Sequence, residues 1–357
     1  IGRLAWAVAL VAAAFFLLQA VSEPMWAWDF IAIWGFKGKT LFLSGGLPSG
    51  FFHDSDLAFV HPSYPLLLPV LFAALSTLAG GWDSQALALL FPGFEIATLL
   101  VLWGFLRRRN GRGGAAIGLV LTAGFFPLYQ SFLVGLAEIP MALGFLLAST
   151  SLLDALDRDG PFRPRPLALA ALFCCALKTE GMVFLLLLAA TTAVAGPVRR
   201  RSSRLRAASI FVLVVLLHFG AARLLHGPSL DPRLGGLKVF SRGFSEPLHR
   251  LSATASYLLR TVLVRESPFL LGVAAILCLT SAASEDLLLW PLAGITALYA
   301  VAPVVSTWSD PTALSRSSFE RVVSALMPVL FLVLGTRMSP VFERFSLRFS
   351  RGRLTMK

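Results

Sequence analysis

The chain has 357 residues, of which 57% are hydrophobic and only 14% are charged, and its formal net charge is +12. A soluble globular domain could not cover its surface with so few polar residues, so the composition excludes that class. Apolar runs close to the length that crosses a bilayer recur along the whole chain, which predicts a single integral-membrane domain over residues 1–357. Cytoplasmic loops and anionic headgroups account for the excess of Lys and Arg, so we expect membrane lipids and no nucleic acid as partners.

Eleven apolar runs are visible in the sequence. The first one, from Leu4 to Val21, is long and lacks a small-x-small cleavage site, so we expect a retained helix rather than a signal peptide. The runs lie at 4–22, 64–80, 85–106, 114–129, 132–153, 166–178, 181–197, 207–225, 267–283, 287–304 and 319–337.

The run at 64–80 decides the topology. It is short, contains two prolines and ends at a glycine pair. If it crossed the membrane, the arginine clusters at 107–112 and 199–206 would lie outside, against the positive-inside rule. We therefore expect an all-α polytopic membrane protein of about ten transmembrane helices with both ends cytoplasmic. The run at 64–80 would then be a membrane-embedded, non-spanning helix within a first outer loop at 23–84.

This first outer loop collects ionisable and aromatic residues at membrane depth. Asp29 directly follows the first apolar run and lies among Trp26, Trp28 and Trp34, and tryptophan is typical of the headgroup level. An acid held at the bilayer surface is uncommon and usually has a function. Asp29 could be a general base that takes a proton from an acceptor hydroxyl or amine. The alternative is an interfacial helix cap.

The loop continues with the segments HDSD and HPSYP. His53, Asp54, Asp56 and His61 could hold a divalent cation, because carboxylate and imidazole together suit one. Their spacing matches no defined metal loop, so ordinary solvation is the alternative, and this possible divalent cation is the only cofactor considered. Each proline in HPSYP restrains the residue before it, which stiffens the chain.

Five polar residues interrupt later apolar runs. Glu138 begins one run and precedes a proline; it could pair with a cation or position a substrate, or it could cap a helix. Lys178, Thr179 and Glu180 separate two apolar halves, where polar groups are costly without a use, although the Lys and Glu could simply neutralise each other. Arg321 lies at the mouth of the last run, where a guanidinium can contact phosphate or snorkel to headgroups.

A second long outer loop, at 226–266, is strongly basic. Its cations would suit an anionic ligand such as a lipid phosphate, and a headgroup-binding face is the alternative. The sequence contains no P-loop, no GxGxxG that opens a helix, no GxSxG and no zinc-type Cys/His pattern. The common nucleotide-binding, serine-hydrolase and zinc motifs are therefore absent.

Four segments together resemble the GT-C superfamily of integral-membrane glycosyltransferases. The resemblance is strongest to bacterial dolichyl-phosphate-mannose–protein mannosyltransferase-like and aminoarabinose-transferase-like enzymes, and the order of the segments carries it. The sequence departs from the family pattern at Phe30, where a second acid often stands, and at Glu138, which is commonly Asp. The segments are WDFIAIWGFKGKTLFLSGG from Trp28, HPSYPLLLPVL from His61, GLAEIPMALGFLLA from Gly135 and ALKTEGMVFLLL from Ala176, with a weaker likeness in SFERVVSALMPVLFL from Ser318.

The resemblance implies a GT-C fold and a polyprenyl-phosphate-sugar-dependent glycosyltransferase. Such an enzyme would act on the outer face of the cytoplasmic membrane and pass the sugar to a lipid, glycan or protein acceptor. It implies two catalytic acids, Asp29 and Glu138, and we assign no residue as a metal ligand. The substrate-binding residues that it implies are His61, Tyr64, Lys178, Glu180 and Arg321.

Two other functions stay open at this point. An O-antigen-ligase-like transferase would use a diphosphate lipid, and the cations of 225–267 would then matter more than Asp29. A lipid or sugar transporter would carry out no chemistry. That class typically shows paired inverted repeats with broken helices, and none is visible in the sequence.

Overall fold

The computed structural model of the protein describes residues 2–48, 50–51, 54–61, 64–125, 134–157, 162–194, 201–226, 245–260, 273, 277, 284–305 and 319–354. Within these ranges the regular structure is entirely helical, as the apolar patterning predicts. The α-helices are α1 (Gly2–Ser22), α2 (Gly35–Ser44), α3 (Leu67–Ala79), α4 (Ser84–Ala88), α5 (Leu90–Ala123), α6 (Glu138–Ala155), α7 (Pro164–Leu177), α8 (Thr179–Val194), α9 (Arg201–His226), α10 (Ser245–Arg260), α11 (Leu289–Val305) and α12 (Glu320–Leu354).

Five helical stretches in these ranges are long and apolar enough to cross a membrane, which indicates a multi-pass membrane protein. They are Gly2–Ser22, Ser84–Ala123, Glu138–Ala155, Arg201–Ala222 and Glu320–Val341. The shorter apolar helices are Leu67–Ala79, Pro164–Leu177, Thr179–Val194 and Asp286–Ala302. Most of the predicted run at 267–283 lies outside the described residues, so the count of ten spans stays a prediction.

Helix α3 occupies the run that decides the predicted topology. Its 13 residues make a helix of ~20 Å, whereas the hydrocarbon core is roughly 30 Å thick. The helix ends at Gly80, whose φ of 75° is left-handed and whose N–H bonds to the carbonyls of Ser76 and Thr77. The side chain of Asp83 then caps α4 by accepting from two backbone N–H groups. The glycine at the end of α3 and the cap of α4 therefore end α3 before it is long enough to cross the membrane.

A kink divides α5 into two arms. Gly111 has φ 70° and ψ −170°, a combination that residues with a Cβ rarely adopt. The two arms correspond to the separate apolar runs predicted at 85–106 and 114–129. The second arm packs closely on α12, where Gly114 and Gly335 face each other. A Cβ built on either glycine would lie 2.9 Å from the carbonyl oxygen of the other, so the close approach depends on small residues.

Helices α6 and α12 lie at the centre of the fold, whereas α1 and α9 lie at its periphery. Most of the spanning parts of α6 and α12 are buried, but α1 and α9 expose most of theirs. The exposed side chains are large and apolar, with Leu18 62% and Leu217 63% exposed. In water such surfaces would associate, so these helices suit contact with lipid.

The two ends of the helix bundle differ in their charges. Arg321 at the start of α12 contacts Glu138 at the start of α6. At the opposite end, Ser339 of α12 bonds to the carbonyl of Asn110, and Arg204 bonds to carbonyls at the end of α8. The arginine clusters therefore share one end, and Glu138 and Arg321 lie at the other. This separation is what the predicted topology requires.

Cysteine labelling tests that topology directly. Lys39 and Arg112 are both exposed, so a cysteine at either position can react once a reagent reaches it. We expect a membrane-impermeant maleimide to label Lys39→Cys in intact cells and Arg112→Cys only after permeabilisation, because arginine-rich ends stay cytoplasmic. Labelling of Arg112→Cys in intact cells would show that the orientation is wrong.

Candidate functional site

Five of the predicted site residues meet in one ion network, which we call the charge network. They come from four separate stretches of chain: the end of the loop after α1, and the starts of α6, α8 and α12. Its members are Asp29, Glu138, Lys178, Glu180 and Arg321.

Arg321 joins the first outer loop to α6. Its Nη2 donates to Oδ2 of Asp29 at 2.6 Å and to Oε1 of Glu138 at 2.7 Å. Its Nε also donates to the same Glu138 oxygen at 3.1 Å. Charge-assisted hydrogen bonds of this kind are among the strongest in proteins.

Lys178 extends the network on the other side of Glu138. Its Nζ lies 2.9 Å from Oε1 of Glu138 and 2.9 Å from Oε1 of Glu180. The Thr179 hydroxyl donates to the second oxygen of Glu180 at 3.0 Å. Tyr299 of α11 also hydrogen bonds to Glu180. One oxygen of Glu138 therefore accepts from both cations.

The charge network has an accessible edge and a buried floor. The side chains of Asp29 and Arg321 are 20% and 18% exposed, whereas Glu138 is fully enclosed. Lys178 and Glu180 are 8% and 6% exposed. Among the described residues the second oxygen of Glu138 has no hydrogen-bond partner, an arrangement that is costly in a buried group and calls for an explanation. A ligand would meet Asp29 and Arg321 first.

Three helix N-termini point at the same place. Helices α6, α8 and α12 carry Glu138, Glu180 and Glu320 in their first turns. Each N-terminus is equivalent to about half a positive charge. The five residues of the charge network sum to −1, so the partial positive charges of the three helix ends offset that excess. Glu320 accepts a hydrogen bond from Tyr257 of α10 at 3.0 Å.

The sequence left open whether Asp29 and Glu138 cap helices, and the structure shows that they do not. Asp29 precedes a π-helical turn at Phe30–Trp34 but makes no side-chain capping bond. Glu138 is the first residue of α6, and Ala137 occupies the cap position. Both carboxylates instead bond to Arg321. Wide helical turns of this type are frequent at functional sites.

The three tryptophans expected at the headgroup level differ in burial. Trp26 and Trp28 are 55% and 70% exposed, so their rings are free to contact headgroups. Trp34 is fully buried, so its ring contacts protein instead. The π-helical turn rotates Trp34 into the core, where its ring stacks on Tyr64.

Tyr64 and His61 lie in an aromatic stack with Trp34. The Tyr64 ring centroid is 5.4 Å from that of Trp34 and 4.7 Å from that of His61, with interplanar angles of 22° and 18°. Burial, more than any other cause, raises the pKa of Tyr64 to about 12, and the negative charge of Glu180 adds to the effect. Its hydroxyl therefore stays protonated and available as a donor near the charge network.

The possible divalent-cation site finds no support in the part of the chain that the structure describes. There, no group of three or more His, Cys, Asp and Glu residues is arranged to hold a metal ion. Asp54 accepts a hydrogen bond from the backbone N–H of Asp56 in a local turn. His53 and most of the basic loop at 226–266 lie outside the described residues.

Sequence reasoning missed two buried charged groups. Lys37 is fully buried, and the KGK segment does not reveal which of its two lysines faces inward. Glu95 lies within α5, is 2% exposed, and neither carboxyl oxygen has a hydrogen-bond partner in the part of the chain that the structure describes. An acid inside an apolar run is a recognisable signal, so Glu95 could have been identified from the sequence.

Comparison of the chain with protein-family models, curated proteins and solved structures finds no match. The likeness to GT-C glycosyltransferases therefore rests on the sequence segments alone, and the function is argued from the site.

Charge arithmetic predicts an unequal effect of removing members of the network. Glu138→Gln leaves Lys178 with Glu180 and Arg321 with Asp29, so both cations stay paired. Lys178→Met leaves three acids to one cation, and breaking a buried pair in this way costs about 3–5 kcal/mol. We expect Lys178→Met to lower the apparent unfolding temperature in detergent more than Glu138→Gln does.

A double variant controls for the loss of the lysine side chain itself. Lys178→Met combined with Glu180→Gln restores a net charge of −1 and should recover part of the lost unfolding temperature. A larger loss in Glu138→Gln than in Lys178→Met would contradict this electrostatic account.

Proposed function

We propose that the protein is an integral-membrane glycosyltransferase that moves a sugar from a polyprenyl-phosphate donor to a lipid, glycan or protein acceptor. The observation that carries this proposal is the pairing of Asp29 with Arg321 at the accessible edge of the charge network. A carboxylate that can take a proton stands there beside a guanidinium that can hold a phosphate. Exposed Trp26 and Trp28 next to this edge suit a substrate that arrives within the membrane surface.

Asp29 acts as the general base in this proposal. It takes the proton of the acceptor hydroxyl or amine as that group attacks the anomeric carbon of the sugar. The bond between this carbon and the phosphate oxygen breaks, and the polyprenyl phosphate leaves with the electron pair. Partial exposure of Asp29 gives the acceptor access, and a base so placed contributes typically 10²–10⁴-fold to the rate.

Arg321 binds the phosphate of the donor. At rest its Nη2 bonds to Asp29 and Glu138, so an arriving phosphate competes with Asp29 for the guanidinium. When Arg321 turns to the phosphate, Asp29 loses its ion-pair partner and becomes available as a base. The phosphate gains charge as the sugar leaves, so Arg321 and the three helix N-termini stabilise the transition state more than the ground state.

Glu138 supports this chemistry without contacting the acceptor. It is fully enclosed and accepts from both Arg321 and Lys178. It therefore keeps both cations at the site while Arg321 exchanges Asp29 for phosphate. Lys178 adds positive charge from the buried floor, and Tyr64 contributes a hydroxyl donor nearby.

The membrane arrangement that goes with this function is the one expected from the sequence. The chain would have a GT-C fold of about ten spans in the cytoplasmic membrane, with the charge network on its outer face. Helix α3 would lie embedded in the outer leaflet. The length of α3 and the separation of the arginine clusters from the charge network support this arrangement.

A transporter is the second candidate, and one observation favours it. Arg337, near the far end of the apolar stretch Glu320–Val341 of α12, makes a bidentate ion pair with Asp286 at 2.7 and 2.5 Å. Two ion pairs at opposite ends of one spanning stretch would suit gates that open in alternation. The enzyme is favoured because Asp29 is partly exposed and its carboxylate, which can accept a proton, lies beside the guanidinium of Arg321, which can bind a phosphate.

The first activity test replaces the proposed base. We expect Asp29→Asn to reduce sugar transfer by the purified protein by about a hundredfold or more. The protein amount and the unfolding temperature should stay nearly unchanged, because Arg321 remains paired with Glu138. Asp56→Asn is the matched control, since Asp56 is an exposed acid in the same outer loop. Near-normal transfer by Asp29→Asn would remove Asp29 from the mechanism.

The second activity test concerns the phosphate ligand and separates the two candidates. We expect Arg321→Ala to lower the release of polyprenyl phosphate from a synthetic short-chain donor, and Arg321→Lys to restore only part, because an ammonium cannot make a bidentate contact. Release that is unchanged in Arg321→Ala would refute the phosphate role. Movement of donor across a liposome bilayer, without release of phosphate by the wild type, would favour the transporter.

A further inference from the structure

A buried lysine holds the turn that carries Tyr64. Lys37 of α2 is fully buried, and its Nζ donates to the backbone carbonyl of His61 at 2.6 Å. The same Nζ lies 5.9 Å from the centre of the Trp34 ring. The carbonyl of His61 also accepts from the N–H of Tyr64 at 3.0 Å. Lys37 thus fastens the turn at the base of the aromatic stack.

The turn has an unfavourable backbone conformation at the point that Lys37 contacts. His61 has φ 47°, in the left-handed region that residues other than glycine seldom adopt. It also precedes a proline, which restricts its conformation further. Such a residue persists only where its surroundings hold it. The bond from Lys37 to the His61 carbonyl supplies such a constraint.

Helix α2 gives Lys37 a rigid base. A Cβ built on Gly38 would lie 3.0 Å from Cβ of Phe72 and 3.1 Å from the carbonyl oxygen of Pro69. Glycine is therefore needed for α2 to lie this close to α3. The amine of Lys37 is fixed relative to both helices, and the turn that it holds is fixed with it.

Lys37 costs stability where it stands. Burial lowers its pKa to about 7, and no carboxylate pairs with it among the described residues. An apolar side chain at this position would avoid that cost. A side chain that costs stability but organises a turn beside the charge network suggests a functional reason for its presence.

We propose that Lys37 is a positioning residue that holds the His61–Tyr64 turn so that the Tyr64 ring and hydroxyl stand beside the charge network. This role rests on the proposed glycosyl transfer, in which Tyr64 helps to place the sugar phosphate against Asp29 and Arg321. Lys37 acts through Tyr64 and touches neither substrate nor acceptor.

Hydrogen exchange of the purified full-length protein tests the contact without any substrate. We expect Lys37→Met to speed exchange of the Tyr64 amide, because the carbonyl that accepts from it loses its anchor. Lys39→Met is the matched control, since Lys39 is exposed on the same helix, and it should leave that exchange unchanged. Exchange at Tyr64 that is equal in Lys37→Met and wild type would overturn the proposal.

The pH dependence of the unfolding temperature tests whether the buried Lys37 costs stability. The folded pKa of Lys37, about 7, lies below its unfolded value of about 10.4. The cost of burying the charge is therefore complete below pH 7 and shrinks as the pH rises toward 10. We expect the unfolding temperature of Lys37→Met, relative to wild type, to be higher at pH 6 than at pH 9. The opposite pH trend would show that Lys37 carries no such cost and would remove the functional reason inferred from it.

Kinetics completes the test. We expect Lys37→Met to lower turnover on the order of tenfold through misplacement of Tyr64, and Lys37→Gln, which can still donate to a carbonyl, to recover part. In a Tyr64→Ala background, Lys37→Met should cause little further loss, because both changes act on one element. Unchanged turnover in Lys37→Met, or full additivity with Tyr64→Ala, would overturn the positioning role.

If the wild type transfers no sugar, the proposed function and this positioning role fail together. The hydrogen-exchange experiment still shows whether Lys37 holds the turn.

Discussion

Arg321 donates to the carboxylates of both Asp29 and Glu138, and this shared guanidinium ties the first loop to the two central helices of the fold. Asp29 lies 292 residues away from Arg321 along the chain, so the bond closes the structure across most of its length. Charged groups in an environment of low dielectric constant persist only when they are paired. The positions of α6, α8 and α12 are therefore coupled, because each presents a charged residue of its first turn to the same network.

The sequence predicts much of this arrangement but not the pairings within it. Acids and bases at the edges of apolar runs identify Asp29, Glu138 and Arg321, because polar groups at membrane depth are costly without a function. Their mutual contacts depend on the packing of helices that are distant in the chain, which no local pattern contains. The burial of Trp34 could not be read from the sequence for the same reason, since the sequence does not show which residue of the π-helical turn faces the core.

The electrostatics of the network limit what the site can do. Both cations are occupied by acids at rest, so the site is not an open anion pocket. In the proposed reaction, the substrate phosphate would displace Asp29 from Arg321, and that exchange would free Asp29 as a base at the moment when Arg321 holds the phosphate. The same logic explains why Glu138, which is enclosed, serves better as a permanent counter-charge than as a proton acceptor. A transporter would use the same pairs as gates, without breaking a glycosidic bond.

The measurement that tests this account most directly is mass spectrometry of lipid-linked sugars from cells. Cells would carry either the wild-type chain or the Asp29→Asn chain as their only copy. The account predicts that a polyprenyl-phosphate sugar accumulates in the Asp29→Asn cells, and that the matching sugar disappears from a lipid, glycan or protein on the outer side of the membrane. Identical profiles of lipid-linked and acceptor-linked sugars in the two strains would contradict it.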